Sequence, residues 1–184
     1  MGRMQITLAI LKPDVAVNPH IVYAIDKSIL RNKFLIIKRK RLRWPKARAE
    51  QFYFQHAQRF FYRRLVEFMS SGPIEALILA KRNAIQDWRL LIGPTKVYKT
   101  QHTNPNTIRG QFGLTDTRNA VHGADSEESV HEEVAFFFPE FDVGKWNTKG
   151  HYLIPNEGSF IFDNETRVHK LSLEFDNHEK KLPC

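Results

Sequence analysis

The chain has almost no cysteine: of its 184 residues, only the last, Cys184, is one. This excludes an intramolecular disulfide and a thiolate metal site, and it permits a reducing compartment. Apolar runs long enough to span a bilayer are also missing from the sequence. The first patterned segment begins at about residue 5, leaving no room for a signal peptide or an Arg-rich leader. We therefore expect a cytoplasmic protein without a membrane partner; an internal import signal, directing it to mitochondria, remains the alternative.

Histidine and carboxylate clusters with metal-ligand spacing, internal repeats and low-complexity tracts are likewise absent from the sequence. We therefore expect no metal ion held by the protein alone. What is present is a hydrophobic content of 42%, enough for the core of one domain. The net charge of +8 attracts acidic partners, but charge does not distinguish nucleotides from nucleic acids or anionic membranes.

Hydrophobic periodicity predicts alternating strands and helices. The predicted strands cover residues 5–11, 34–37 with the basic stretch 38–41, 74–80 and 118–122. The predicted helices cover residues 19–32, 45–57, 63–69, 84–92 and 127–137. The basic stretch 38–41 is interpreted as exposed positions on a strand covered on its other face, in preference to an RNA-binding patch. Residues 93–106 lack sustained periodicity and are predicted as a long surface loop.

This order of elements predicts the α+β class, with a ferredoxin-like four-stranded antiparallel sheet and helices returning across one face. A C-terminal β-hairpin extension is also predicted, because residues 159–162 and 168–175 alternate with period two around Asp163, Asn164 and Glu165. We therefore divide the chain into a domain over residues 1–150 and an extension over residues 151–184.

The most informative residue is His122, one of eight histidines. It follows a short apolar segment and precedes Gly123, Asp125 and Ser126, where an acidic helix is predicted to begin. Because the N-terminus of a helix favours negative charge, a phosphate group would be stabilised there. Taken alone, however, a histidine is more often a surface or structural residue.

The motifs around His122 resemble the nucleoside diphosphate kinase family, nearest to its divergent eukaryotic type-six group. The resemblance rests on Thr107-Ile108-Arg109-Gly110 and on Arg118-Asn119 followed at fixed spacing by His122-Gly123 and Asp125-Ser126, with Lys12, Arg89 and Thr95 as further matches. It covers residues of about 5 to 146, so residues 1–150 are predicted to form a nucleoside diphosphate kinase-like domain.

The resemblance implies a ping-pong reaction that supports the synthesis of GTP, CTP and UTP. His122 takes the γ-phosphate of a nucleoside triphosphate such as ATP and passes it to a nucleoside diphosphate. The expected partners are therefore nucleoside di- and triphosphates, and the expected cofactor is Mg²⁺ carried by the nucleotide phosphates. Independently of the resemblance, a neutral imidazole with a reference pKa of about 6.5 is a nucleophile at neutral pH.

The resemblance also implies roles for the residues that surround the nucleophile. Besides His122, the catalytic residues it implies are Glu133, which orients the imidazole, Tyr53, near the transferred group, and Lys12, which reaches phosphate and ribose. The implied nucleotide-binding residues are Arg89, Thr95 and Arg109 on the distal phosphates, Asn119 and Lys12 on the sugar, and Phe61, on which the base stacks.

Two substitutions and one insertion depart from the family pattern. Ala124 replaces the usual serine and removes a hydroxyl near the phosphate, so we expect reduced activity. Asp116 occupies a position that is commonly apolar, and the loop between Thr95 and Arg109 is longer than usual. The longer loop and the hairpin predict a monomer, or an assembly smaller than the hexamer of typical relatives.

An alternative function is a weakly active or inactive nucleotide-binding module that acts through a protein or RNA partner. We favour the enzyme, and expect no nucleic acid as substrate, because a scaffold has no need of Lys12, Arg89, Arg109, Asn119 and His122 together.

Overall fold

The computed structural model describes residues 4–149 and 160–171. Its strands are β1 Gln5–Leu11, β2 Leu35–Arg43, β3 Pro73–Lys81, β4 Val121–Gly123, β5 Phe160–Asp163 and β6 Val168–Leu171. Its helices are α1 Pro13–Ala16, α2 Pro19–Arg31, α3 Lys46–Phe52, α4 Tyr62–Ser70, α5 Ala84–Ile92, α6 Val97–Thr103, α7 Ile108–Phe112, α8 Glu127–Phe137 and α9 Val143–Lys149, with a 3₁₀ turn at Phe54–His56. Over this part of the chain, no helix combines the length and apolarity needed to cross a membrane.

The first four strands form one antiparallel sheet in the order β2-β3-β1-β4, which confirms the predicted fold class. Alternate residues of β1 point to opposite faces, and both faces are buried. Leu8 and Ile10 pack with α3, α4 and α8, whereas Ala9 and Leu11 pack with α2 and α5. The prediction that helices cover one face was therefore wrong: both faces carry helices, which is why β1 is apolar almost throughout.

The predicted loop 93–106 contains a helix, α6, and the prediction was wrong there too. Only Val97 and Thr100 of α6 are buried, too few to produce a visible apolar period. In contrast, α5 and α8 have the predicted bounds, because α8 begins at a capping serine, Ser126, that accepts a hydrogen bond from the Ser129 amide, and Gly93 ends α5.

The C-terminal hairpin β5–β6 is present, and it packs on α2 and the start of β2. Arg167 binds Asp26 of α2, and the backbone amide of Ile36 donates to Nδ1 of His169 at 2.8 Å. Phe162 and Val168 contact the apolar cluster beneath α2. Residues 159 and 172–175 of the predicted hairpin lie outside the described residues.

The basic stretch in β2 is partly a buried ionic network. Lys38 and Lys40 are exposed, as predicted, but Arg39 binds Asp26 at 2.6 Å and Glu75 at 2.9 Å. Because both carboxylates are buried, the guanidinium of Arg39 compensates charges that would otherwise be costly to desolvate.

Candidate active site

His122 lies at the centre of β4, and Glu133 of α8 holds its imidazole. Its neighbour Val121 packs under α5, so the His122 side chain points to the opposite face of the sheet. The Nε2 atom lies 2.9 Å from both carboxylate oxygens of Glu133. Because an ionised carboxylate can only accept a hydrogen bond, Nε2 carries the proton and Nδ1 keeps its lone pair. Nδ1 is therefore the ring nitrogen whose lone pair is available to an electrophile.

Gly123 allows the indole of Trp88 to lie directly against β4. A Cβ atom at Gly123 would lie 2.5 Å from Cδ1 and 2.6 Å from Nε1 of Trp88. The same Nε1 donates to the backbone oxygen of His122 at 3.2 Å. Because Gly123 has no Cβ atom, the buried indole of Trp88 can approach β4 and hold the backbone of His122.

His122 faces a cleft with a volume of about 1140 Å³. Five of the predicted site residues line it, namely Arg89, Thr95, Arg109, His122 and Glu133. The N-terminus of α8 also lines it through Asp125 and Ser126, so its positive end faces the cleft. The cleft therefore brings an imidazole together with two arginines and a helix N-terminus.

Arg109 is held in place by backbone carbonyl groups. Its two terminal nitrogens donate to the oxygen of Gly93 at 2.6 Å and to the oxygen of Val121 at 2.9 Å. Burial, with a further contribution from Arg89, lowers the pKa of Arg109 to about 10, so the guanidinium stays charged at neutral pH. The guanidinium of Arg109 is thereby fixed next to Val121, the residue that precedes His122.

Lys12 and Asn119 meet because β1 and β4 are neighbours. The amide of Lys12 donates to the oxygen of Ala120 at 2.9 Å, and its Nζ donates to Oδ1 of Asn119 at 2.6 Å. Lys12 is only 6% exposed. Burial, reinforced by Arg109 and opposed by Asp14, lowers the pKa of Lys12 to about 7. The ammonium is therefore close to its titration point at neutral pH.

Four predicted site residues do not line the cleft itself: Lys12, Tyr53, Phe61 and Asn119. Tyr53 is buried, and its hydroxyl has no hydrogen-bond partner among the described residues. Burial, with a smaller contribution from Glu133, raises the pKa of that hydroxyl. Phe61 is half-buried, whereas its neighbour Phe60 is 93% exposed.

His56 also lines the cleft, although it matches none of the sequence motifs. Its ring centroid lies 6.3 Å from that of Tyr53 and 5.7 Å from that of Phe61. Burial, followed by the charge of Arg59, lowers its pKa, which favours the neutral ring. Its position three residues after Tyr53, about one helical turn, is the signal that could have found it.

The two substitutions noted in the sequence have different structural settings. Ala124 is 1% exposed and packs in the apolar cluster with α8, so a serine hydroxyl there would need a buried acceptor. Asp116 is exposed, and its Oδ1 accepts a hydrogen bond from the amide of Val97 at 3.1 Å. Asp116 therefore satisfies the first amide of α6.

Comparisons with known proteins show the family to which the chain belongs. The family model described as nucleoside diphosphate kinase matches residues 5–143. The chain is 49% identical to nucleoside diphosphate kinase 6 of Xenopus tropicalis over 171 residues, covering 93% of this chain and 95% of that protein. It is 53% identical to nucleoside diphosphate kinase 6 of Homo sapiens over 143 residues, covering 78% of this chain and 77% of that protein.

A solved structure is also similar. The crystal structure of the Aquifex aeolicus nucleoside diphosphate kinase superposes with a TM-score of 0.69 at 39% identity. The match covers 73% of this chain and 95% of that one.

Proposed function

Because the chain belongs to the nucleoside diphosphate kinase family, we propose that it transfers the γ-phosphate of a nucleoside triphosphate, such as ATP, to nucleoside diphosphates. Transfer follows a ping-pong mechanism with a phosphohistidine at His122. The acceptors include the diphosphates that become GTP, CTP and UTP.

The observation that carries this proposal is the pair formed by His122 and Glu133. Both carboxylate oxygens lie 2.9 Å from Nε2, which fixes the tautomer whose Nδ1 is nucleophilic. When Nδ1 forms a bond to phosphorus, the ring becomes positively charged. Glu133 stabilises that charge and keeps the proton on Nε2.

The transfer needs no atom beyond the nucleotide and the imidazole. The Nδ1 lone pair attacks the γ-phosphorus, and the bond to the bridging oxygen breaks, so the nucleoside diphosphate leaves with that electron pair. A terminal oxygen of a second diphosphate then attacks the phosphohistidine, and the electron pair returns to Nδ1. Donor and acceptor use the same cleft in turn, as a ping-pong mechanism requires.

Stabilisation of the transferred group comes from positioned cations. Phosphoryl transfer depends mainly on positioning and on charge stabilisation at the phosphate oxygens. Arg89, Thr95 and Arg109 line the same cleft as the nucleophile and are available to the distal phosphates. Two backbone carbonyls already orient Arg109, so little reorganisation is needed when the nucleotide binds.

The sugar and the base are assigned to residues next to this cleft. The bonded pair of Lys12 and Asn119 offers donors to the ribose hydroxyls. Phe61, beside His56, offers a ring on which a base stacks, and stacking accepts any base because each has a π face. This supports a broad acceptor range.

Mg²⁺ is proposed as a cofactor carried on the nucleotide phosphates. Within residues 4–149 and 160–171, no three histidine, cysteine or carboxylate side chains converge on a possible metal position. An ion that arrives with the nucleotide would be held by phosphate oxygens and water. When bound, the ion neutralises charge on those oxygens.

Labelling with γ-³²P-ATP tests the proposal. The wild-type protein should carry an acid-labile label that disappears when an unlabelled nucleoside diphosphate is added. The H122A variant should fold and bind nucleotide but carry no label, because the imidazole is the reactant. The matched control is H131A, which removes an exposed histidine of α8 and should leave labelling unchanged.

Two outcomes would contradict the proposal. Label on folded H122A protein would mean that another residue is the nucleophile. Well-folded wild-type protein that binds nucleotide but never carries label would favour the nucleotide-binding module, for which the buried Ala124 in place of serine is the supporting observation.

A further inference from the structure

Ala120 has a backbone conformation that residues with a Cβ rarely adopt. Its φ is +67°, in the left-handed region, and its side chain is fully buried. The amide of Val121 donates to the oxygen of Asn119 at 2.7 Å, which closes a three-residue turn around Ala120. A turn of this kind with positive φ is rare and strained, so neighbouring groups must hold it.

Two contacts from the segment that follows β1 hold this turn. The Ala120 amide donates to Oδ2 of Asp14 at 2.9 Å, and its carbonyl accepts from the Lys12 amide at 2.9 Å. The contact from the Lys12 amide extends the pairing of β1 with β4. The contact from the Ala120 amide depends on one side chain, that of Asp14. Within residues 4–149 and 160–171, Asp14 is the one side chain bonded to the Ala120 backbone.

The turn sets the spacing of the groups proposed for the reaction. Before it, Asn119 binds the Lys12 ammonium; after it, Val121 offers its oxygen to Arg109, and His122 follows in β4. If Ala120 relaxed to an ordinary conformation, Asn119 and His122 would rotate relative to each other. The residues proposed to bind the sugar and the phosphates would then no longer be aligned with the proposed nucleophile.

We propose that Asp14 is a positioning residue for phosphoryl transfer. Its hydrogen bond to the Ala120 amide keeps Ala120 left-handed and thereby aligns Asn119, Arg109 and His122. This inference rests on the proposed function of His122. It is separate from the charge that Asp14 presents to Lys12, which a test must distinguish.

Four variants separate the hydrogen bond from the charge. D14A removes both, and D14N removes the charge but keeps an oxygen acceptor. D14A/A120G relieves the strain, because glycine adopts positive φ without a Cβ penalty. D14A/K33G is the matched control, since Lys33 also has positive φ, at +59°, but is exposed at the end of α2.

The readouts are the single-turnover rate of His122 phosphorylation at saturating ATP and amide hydrogen exchange at Ala120. D14A should slow phosphorylation about 10- to 100-fold, the range expected for losing a hydrogen bond to a charged group. D14N should stay within about threefold of wild type, because the acceptor remains. A120G should recover most of the loss in the D14A background, and K33G should recover none. Ala120 exchange should be slow in wild type and D14N and fast in D14A.

Each contrary result overturns one statement. If D14N is as slow as D14A, the charge matters and the hydrogen bond does not. If D14A/A120G is folded but remains as slow as D14A, the turn does not set the rate. If the wild-type protein itself forms no phosphohistidine, the proposed function of His122 is wrong. Phosphorylation of the wild-type protein is therefore measured before any variant is compared.

Discussion

Lys12 is buried next to Arg109, and its charge depends on pH near neutrality. Burial lowers its pKa to about 7, so the free protein loses this charge as the pH rises above neutrality. A bound phosphate favours the charged form and raises the pKa again. Nucleotide binding and protonation of Lys12 are therefore coupled.

We expect the protein to take up a proton when it binds a nucleoside diphosphate at about pH 8. Affinity should accordingly fall as the pH rises from about 7 to 9, because the proton needed by Lys12 becomes scarce. Calorimetry in buffers of different ionisation enthalpy measures the uptake. K12M should reduce it and K38M, which alters an exposed lysine of β2, should not; equal uptake in K12M and wild type would contradict the assignment.

At the scale of elements, helix α6 depends on a residue far along the chain. The carboxylate that accepts from its first amide belongs to Asp116, 19 residues from Val97. Thr95, which lines the cleft, lies two residues before the first residue of α6. Order in this part of the cleft wall therefore depends on Asp116.

D116A should loosen α6 and raise the KM for nucleotide, with a loss of about 0.5–2 kcal/mol in helix stability. D116N, which keeps the acceptor, should restore both. Hydrogen exchange over residues 97–103 and steady-state kinetics measure the two effects. D142A is the matched control, because Asp142 Oδ1 accepts from the Lys145 amide at the start of α9. It should loosen α9 alone, and an unchanged KM in D116A would show that α6 does not order the cleft.

Helices α5, α6 and α8 show which helix bounds the local sequence can predict and which it cannot. The capping residue Ser126 directly precedes α8, and Gly93 directly follows α5. Because these signals adjoin the helices they delimit, both helices were predicted with their observed bounds. The carboxylate that satisfies α6 is distant in sequence, so its helix was predicted as a loop.

The sequence motifs pointed to residues that line the cleft, among them Arg109 and His122, but they did not predict the turn at Ala120. Alanine carries no signal for positive φ, and the Asp14 acceptor is 106 residues away in sequence. His56, which lines the cleft, matched no motif residue, and its one signal in the sequence is its spacing of three residues from Tyr53.

At the scale of the whole molecule, the C-terminal hairpin is bound through a titratable residue. The amide of Ile36 donates to Nδ1 of His169, which therefore has to be unprotonated. Burial lowers the pKa of His169 below its ordinary value. The neutral ring is thus favoured when the hairpin is packed on β2, and protonation opposes that packing.

We expect this contribution to be complete above the unfolded-state pKa of about 6.5 and to be lost as the pH falls below it, at a cost of about 1 kcal/mol for the hydrogen bond. Thermal unfolding from about pH 8 to 5 measures it. H169N should flatten this part of the pH profile, because an amide oxygen accepts without titrating. H20N, which alters an exposed histidine of α2, should not. Parallel profiles for H169N and wild type would exclude the contribution.

The hydrogen bond between Trp88 and the backbone of His122 makes the site observable by fluorescence. The indole Nε1 donates to the oxygen of His122, and the ring lies against Gly123. Any shift of the β4 backbone therefore changes the polarity felt by this fluorophore. The other two tryptophans, Trp44 and Trp146, pack against phenylalanine rings and provide a background signal. Emission from Trp88 can thus report changes in the backbone position of His122 in real time, without isotope or added dye.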